Sequence, residues 1–254
     1  MRILITNDDG INATGIHLLE RIARRFSDDV TVVAPAEEQS GKGRSLTLTH
    51  PIRLRSVDRH HHEVIGTPTD AVILALSVIM KDAPPDLILS GINRGANLGE
   101  DVLYSGTAAA AMEGALAGIP SIALSQRYER EGMGHDVPFD AAEGWAERVL
   151  APLIASDWAP RTLVNVNFPP IAADAVKGIK VVGQGLRDYG RPKLDKRVDP
   201  RGFDYYWLAL GKVQHTPKAE TDLEAIEQGY VTVTPLHLDL THEPSRGALE
   251  KLFG

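Results

Sequence analysis

Seven short segments in the first half of this chain alternate between β-rich and helical text, and that rhythm limits the fold more than any other feature. They are RILIT, GIHLLERIARRF, VTVVAP, DAVILALSVIM, DLILSG, SGTAAAAMEGALAG and PSIALS. A strand that feeds a helix and then a parallel strand is a βαβ unit, and repeated units build a mostly parallel sheet covered on both faces. The expected fold class is therefore α/β, a Rossmann-like three-layer α/β/α sandwich. IRLRSV and HHEVIG suit a small hairpin, residues 141–154 a helix, and TLVNVNF and IKVVGQG two further strands. The core is expected to close near residue 185. From residue 186 to 202 the text turns polar, rich in Arg, Lys, Asp and Pro. The later segments FDYYWLAL, YVTVTPL and SRGALEKLF are too few to make a second core, so they extend the sheet or form an oligomerisation arm. One domain over residues 1–254 is expected, with a C-terminal extension over 186–254 and a dimer as the smallest assembly.

Composition removes several classes of function. A formal charge of −7 argues against binding long nucleic acid, which relies on clustered Lys and Arg. With no cysteine, the chain has neither a disulfide, a thiolate metal site nor a cysteine nucleophile. No apolar run reaches the length that crosses a bilayer, so no membrane partner is expected. The opening MRILITNDDG reads as a strand entering a polar loop rather than as a secretory signal, and a cytoplasmic location is the expectation.

Ligands of open α/β sheets gather at the carboxyl ends of the strands. Three strand ends carry polar loops: Asn7, Asp8, Asp9 and Gly10 after RILIT; Ser40, Gly41, Lys42, Gly43 and Arg44 beyond VTVVAP; and Asn93, Gly95, Asn97 and Gly99 after DLILSG. Two adjacent carboxylates repel one another in a partly desolvated site unless a cation or a shared proton relieves the charge. Aspartate, serine hydroxyl and asparagine carbonyl are hard oxygen donors, suited to Mg²⁺ or Mn²⁺ rather than zinc. NDDG is equally a turn with a helix cap, since Asn, Asp and Gly are turn formers. In SGINRGANLG the glycine density lets backbone amides approach an anion. In DVLYSGTAAAAMEGALAG, Ser105 or Thr107 caps a helix of small residues, and such an N-terminus is both an ordinary cap and a phosphate site. Lys42, Arg44 and Arg94 attract phosphate or are simply solvated. His60, His61 and His62 read as a solvated hairpin tip, because consecutive strand residues point to opposite faces. His50, His215, His237 and His242 show no interpretable spacing.

Taken together, MRILITNDDGINATGI, QSGKGRSLTL, GTPTDAV, SGINRGANLGEDVLYSGTAAAAMEG and TDLEAIEQGYVTVTPLHLDLT resemble the SurE (stationary-phase survival protein) nucleotidases, in order and spacing over about half the chain. The resemblance implies one divalent metal ion held by Asp8, Asp9, Ser40 and Asn93, and a phosphate site formed by the loop through Asn97 with Ser105, Gly106 and Thr107. It implies a metal-dependent phosphomonoesterase acting on nucleoside 5′- and 3′-monophosphates, with short polyphosphate as a further substrate, in a homodimer or homotetramer. Thr14 stands where proline is common and Ala108 where valine is common, and neither position is expected to touch a ligand. Within this reading Asp8 and Asp9 are the catalytic candidates, either of which orients an attacking water. The alternatives are an aspartyl-phosphate enzyme, which the adjacent rather than alternate aspartates disfavour, and a non-catalytic nucleotide-binding module.

Overall fold

A computed structural model describes residues 1–128, 138–188, 193–209, 214–215 and 220–253. The first strands are continuous apolar runs, the pattern of a sheet buried on both faces. β1 (Ile3–Thr6) and β2 (Val30–Pro35) are buried at every position. Alternate residues of β1 face opposite ways: Ile3 and Ile5 pack in one cluster, Leu4 in another. β3 (Arg53–Ser56) and β4 (His61–Ile65) form the expected antiparallel hairpin. β5 (Leu87–Arg94), β6 (Ser121–Gln126) and β7 (Thr162–Phe168) continue the parallel core, followed by β8 (Ile179–Val181). Beyond these lie β9 (Arg187–Asp188), β10 (Lys193–Val198), β11 (Asp204–Ala209), β12 (Gln214–His215) and β13 (Val231–His237).

One nine-stranded sheet runs in the order β3-β4-β2-β1-β5-β6-β7-β13-β8, with β4 to β7 parallel to their neighbours within it. Helices α1 (Thr14–Ala23) and α4 (Asp140–Ile154) cover one face; α2 (Pro68–Leu74) and α3 (Gly106–Leu116) cover the other. The three-layer α/β/α sandwich is therefore as the sequence predicts. α1 places Ile16, Leu19 and Ile22 inward and His17 outward, the amphipathic spacing of a surface helix. α3 settles close to the sheet because its residues are small: a Cβ on Gly114 would lie 2.3 Å from Ser121 Oγ and 2.5 Å from Ile88 Cδ1.

The core does not close near residue 185. β13 lies between β7 and β8, antiparallel to β7 and parallel to β8, so the sheet is completed by residues near the end of the chain. α5 (Asp222–Glu227) packs beside β13 and buries Leu223 and Ile226 against Leu98. YVTVTPL thus extends the sheet, whereas FDYYWLAL pairs with residues 193–198 in a separate two-stranded ribbon. α6 (Glu243–Phe253) buries none of its residues. Among the described residues, no helix is long and apolar enough to cross a membrane.

Candidate active site

The chain passes from β1 to β2 on one side and, through the hairpin and α2, to β5 on the other. The carboxyl ends of β1 and β5 therefore flank the point where strand order reverses, the place where open α/β sheets bind ligands. Asp8 and Asp9 follow β1, and Asn93 lies at the end of β5.

Asp8 is buried, and the hydroxyl of Thr107 donates to its Oδ1 at 2.5 Å. Gly106 allows this approach: a Cβ there would fall 2.7 Å from Asp8 Cβ and 2.8 Å from its Oδ2. The first turn of α3 and the first aspartate are therefore in contact. Ser105 caps α3, its side chain accepting the N–H of Ala108 at 3.0 Å. The cap leaves other first-turn amides and the positive end of the helix dipole beside the carboxylate. Burial, and then the charge of Asp9, push the Asp8 carboxyl up to about 6, although hydrogen bonds from Thr107 pull the other way. Asp9 is also raised, first by burial and then by Glu38; the Arg94 backbone N–H, 2.9 Å from its Oδ2, and the Arg94 charge oppose this. Beside the pair, Asn7 Oδ1 is a buried acceptor with no partner among the described residues.

Ser40 lies in the neighbouring loop, which is tied to β1 where Gln39 N–H donates to the Asp8 carbonyl at 2.7 Å. Its own hydroxyl donates to Glu38 at 2.8 Å. Asn93 donates its amide to the Gly95 carbonyl at 2.8 Å. Asn97 sits in a buried network: its backbone N–H donates to Asn167 Oδ1, its side-chain amide to Ser125 Oγ, and its carbonyl accepts from Asn165 at 2.7 Å. The structure thus joins Asp8 to Ser105, Gly106 and Thr107, sets Asp9 beside the end of β5, and anchors Asn97 from β6 and β7. Arg94 also reaches Glu38 at 3.4 Å, and Gly43 N–H donates to the Tyr104 carbonyl, drawing the serine loop over the end of the short 3-10 turn Gly99–Leu103.

Several positions depart from the sequence reading. The histidine run is not a solvated tip. His61 and His62 belong to β4; His61 bridges Asp58 and Glu20, and His62 is buried with Nδ1 3.0 Å from Ser56 Oγ. Thr14 heads α1 and lines an open cleft of about 530 Å³ that reaches Asp9. Asp222 was quoted only as part of a longer string. It is fully buried, and its carboxylate accepts the N–H groups of Gly99, Gly185 and Leu223, each at 2.8 Å. Asn165 and Asn167 were missed as well, yet their spacing signals them: two amides two residues apart on a buried strand share one face.

Comparison with known proteins follows the same lines. The family model described as survival protein SurE matches residues 3–191. Similar relatives are the 5′-nucleotidase SurE of Rhizorhabdus wittichii, 62% identical over 253 residues, and that of Erythrobacter litoralis, 58% identical over 253 residues. In both cases the match covers 100% of each chain. The crystal structure of the SurE protein from Aquifex aeolicus superposes with a TM-score of 0.82 at 39% identity, covering 100% of both chains. With the aspartate pair set against the α3 N-terminus at the switch point of the sheet, and with these matches spanning its length, the chain belongs to the SurE family.

Proposed function

We propose that this protein is a hydrolase, a 5′-nucleotidase that releases phosphate from nucleoside 5′-monophosphates and requires one divalent metal ion, Mg²⁺ or Mn²⁺. The observation that carries the reading is the contact between the buried Asp8 and the first turn of α3, with Asp9 adjacent. Burial raises both carboxyls, joined at Asp8 by the charge of Asp9 and at Asp9 by that of Glu38, and a hard cation would relieve this concentration of negative charge. Asp8, Asp9, Ser40 and Asn93 would hold that ion. When bound, it supplies Lewis acidity and charge neutralisation.

The chain's own groups do the positioning. The α3 amides, with Ser105, Gly106 and Thr107, receive the phosphate oxygens, and the buried network fixes the loop through Asn97. One of the two aspartates orients a water for in-line attack; the new P–O bond forms as the ester bond breaks, and a proton passes to the leaving oxygen. Nucleoside 3′-monophosphates, and short polyphosphate, are further substrates on the same reading. It also includes a cytoplasmic place and a homodimer or homotetramer assembled through the exposed apolar extension.

The test is phosphate release from a panel of nucleoside monophosphates before and after exhaustive chelation. Activity is expected to vanish with the metal and to return with Mg²⁺ or Mn²⁺, and Asp8→Asn is expected to lose metal affinity together with turnover. Full turnover after chelation would overturn the metal requirement. Nucleotide binding without phosphate release would overturn the enzyme. A phosphorylated chain trapped by acid quenching would replace direct water attack with a covalent route.

A further inference from the structure

The open cleft beside the aspartate pair is lined by Asp9 and the turn that follows it into α1, by Ala36 to Glu38, and by Arg94 and Phe139. We infer that this cleft takes the leaving group of the phosphate ester and selects an uncharged nucleoside over a leaving group that carries further phosphate. The inference rests on the nucleotidase reading above and assigns its specificity to Phe139 and Glu37.

Position comes first. Asp9 belongs both to the aspartate pair and to the cleft, and Arg94, which donates its backbone N–H to Asp9, lines it too. A group esterified to a phosphate held at this pair has the cleft as its neighbour. About 530 Å³ is within the range of small-molecule sites and accommodates a base with its sugar.

Charge decides between leaving groups. The lining holds three carboxylates, Asp9, Glu37 and Glu38, against one guanidinium, Arg94. That guanidinium already approaches Glu38 at 3.4 Å. With Asp9 a ligand of the proposed metal and Glu38 facing Arg94, Glu37 is the carboxylate left to repel a leaving group that bears phosphate, an unfavourable contact in a partly closed site. A ribose presents hydroxyl donors instead, and carboxylates are their strongest acceptors. Glu37 contributes to the lining, and its backbone is approached closely by Gly10, where a Cβ would stand 3.3 Å from the Glu37 carbonyl carbon.

Shape provides for the base. Phe139 is the aromatic ring of the lining, and it rests on Gly15, where a Cβ would lie 3.3 Å from Phe139 Cζ. Gly15 has to be bare, because the same Cβ would fall 1.9 Å from the Ile92 carbonyl oxygen. Gly10, Ala13 and Ala36 keep the remaining space open, and the Asn12 amide offers both donor and acceptor. A flat ring edged by small residues is a stacking surface that accepts any base.

The experiment compares kcat/KM of the metal-loaded enzyme for a nucleoside 5′-monophosphate, ribose 5-phosphate and inorganic tripolyphosphate. Phe139→Leu keeps apolar volume but removes the ring. It is expected to lower the ratio of nucleotide to ribose 5-phosphate about tenfold, the scale of one base–aromatic stack. Glu37→Gln is expected to raise tripolyphosphate relative to the nucleotide several fold. If both ratios stay at their wild-type values, or if each variant slows all three substrates equally, the inference is overturned while the nucleotidase reading stands. A wild-type enzyme that releases phosphate from none of the three overturns that reading and the inference together.

Discussion

The rim above β1 and β5 handles burial in the opposite way from the β10–β11 ribbon and α6. At the rim, polar groups are inside: Asn7, Asp8, Asn97, Ser105, Thr107, Asn165 and Asn167 are all buried. On the ribbon and on α6, apolar groups are outside: Leu194, Phe203, Tyr206, Trp207 and Leu208 along the ribbon and its turn, and Leu252 and Phe253 on α6, are all exposed. Burying a polar group costs stability unless it is bonded; the network around Asn97 and the Ser105 cap offset part of that cost, while Asn7 Oδ1 stands without a partner among the described residues. A two-stranded ribbon gains little from its own packing, so its aromatics belong in a contact it does not make alone. On the function proposed above, the first region is shaped by the nucleotide and metal it would bind and the second by the partner copy that would cover it.

The contrast breaks most severely at Gly106. Gly106→Ala places a methyl group against Asp8 and is expected to cut turnover about a hundredfold, as a displacement of roughly 1 Å does, while thermal unfolding moves little. Steady-state kinetics beside a melting curve checks this, and unimpaired turnover would mean that the helix contact is incidental. Asp222→Ala tests whether the regions are separable. Removing a buried carboxylate that holds three backbone N–H groups is expected to destabilise the fold by about 3 kcal/mol, read from denaturant midpoints, and to raise KM by loosening Gly99. For the extension, Trp207→Ser with Leu208→Ser is expected to lower the sedimenting mass and leave the far-ultraviolet dichroism of the core intact. An unchanged mass would remove assembly as the reason for the exposed aromatics.

The smallest effect concerns His61, far from both regions. Partial burial lowers its basicity, but hydrogen bonds and charges from Glu20 and Asp58 outweigh this and raise it above 6.5. A raised histidine contributes stability that is fully present below about 6.5 and fades as pH climbs through the higher folded value. His61→Gln is therefore expected to lose more stability at pH 6 than at pH 8. Equal losses at the two values would show that the bridge to Glu20 carries no charge.

Legibility followed the scale of the signal. The parallel strands were readable because runs such as VTVVAP and RILIT are apolar on both faces, and α4 because its apolar spacing is helical. The aspartate pair was visible as charge concentrated at one strand end, and the cap at Ser105 by its place before a run of small residues. The histidine run misled because its composition says tip, whereas register puts His62 opposite Ser56 inside the hairpin. The closing of the sheet by β13 was hidden for a different reason: which strand pairs with β7 is set by a contact between segments far apart in sequence, and no local pattern records it. Asp222 escaped notice on the same ground, since its partners Gly99 and Gly185 lie far behind it.

That carboxylate also dates the site. A chain emerging from the ribosome presents Asp8, Asn93, Asn97 and Thr107 early, and β1, β2, β5 and β6 can pair as they appear. The Gly99 carbonyl accepts from Gln184 Nε2 at 2.7 Å, but its N–H has no carboxylate partner until Asp222 has been made, and β8 pairs in the sheet only once β13 follows. The proposed phosphate loop therefore lacks its carboxylate clasp until residue 222 has been synthesised. A message truncated before codon 222 would yield a polypeptide holding every proposed metal ligand and lacking the clasp that sets the loop beside them.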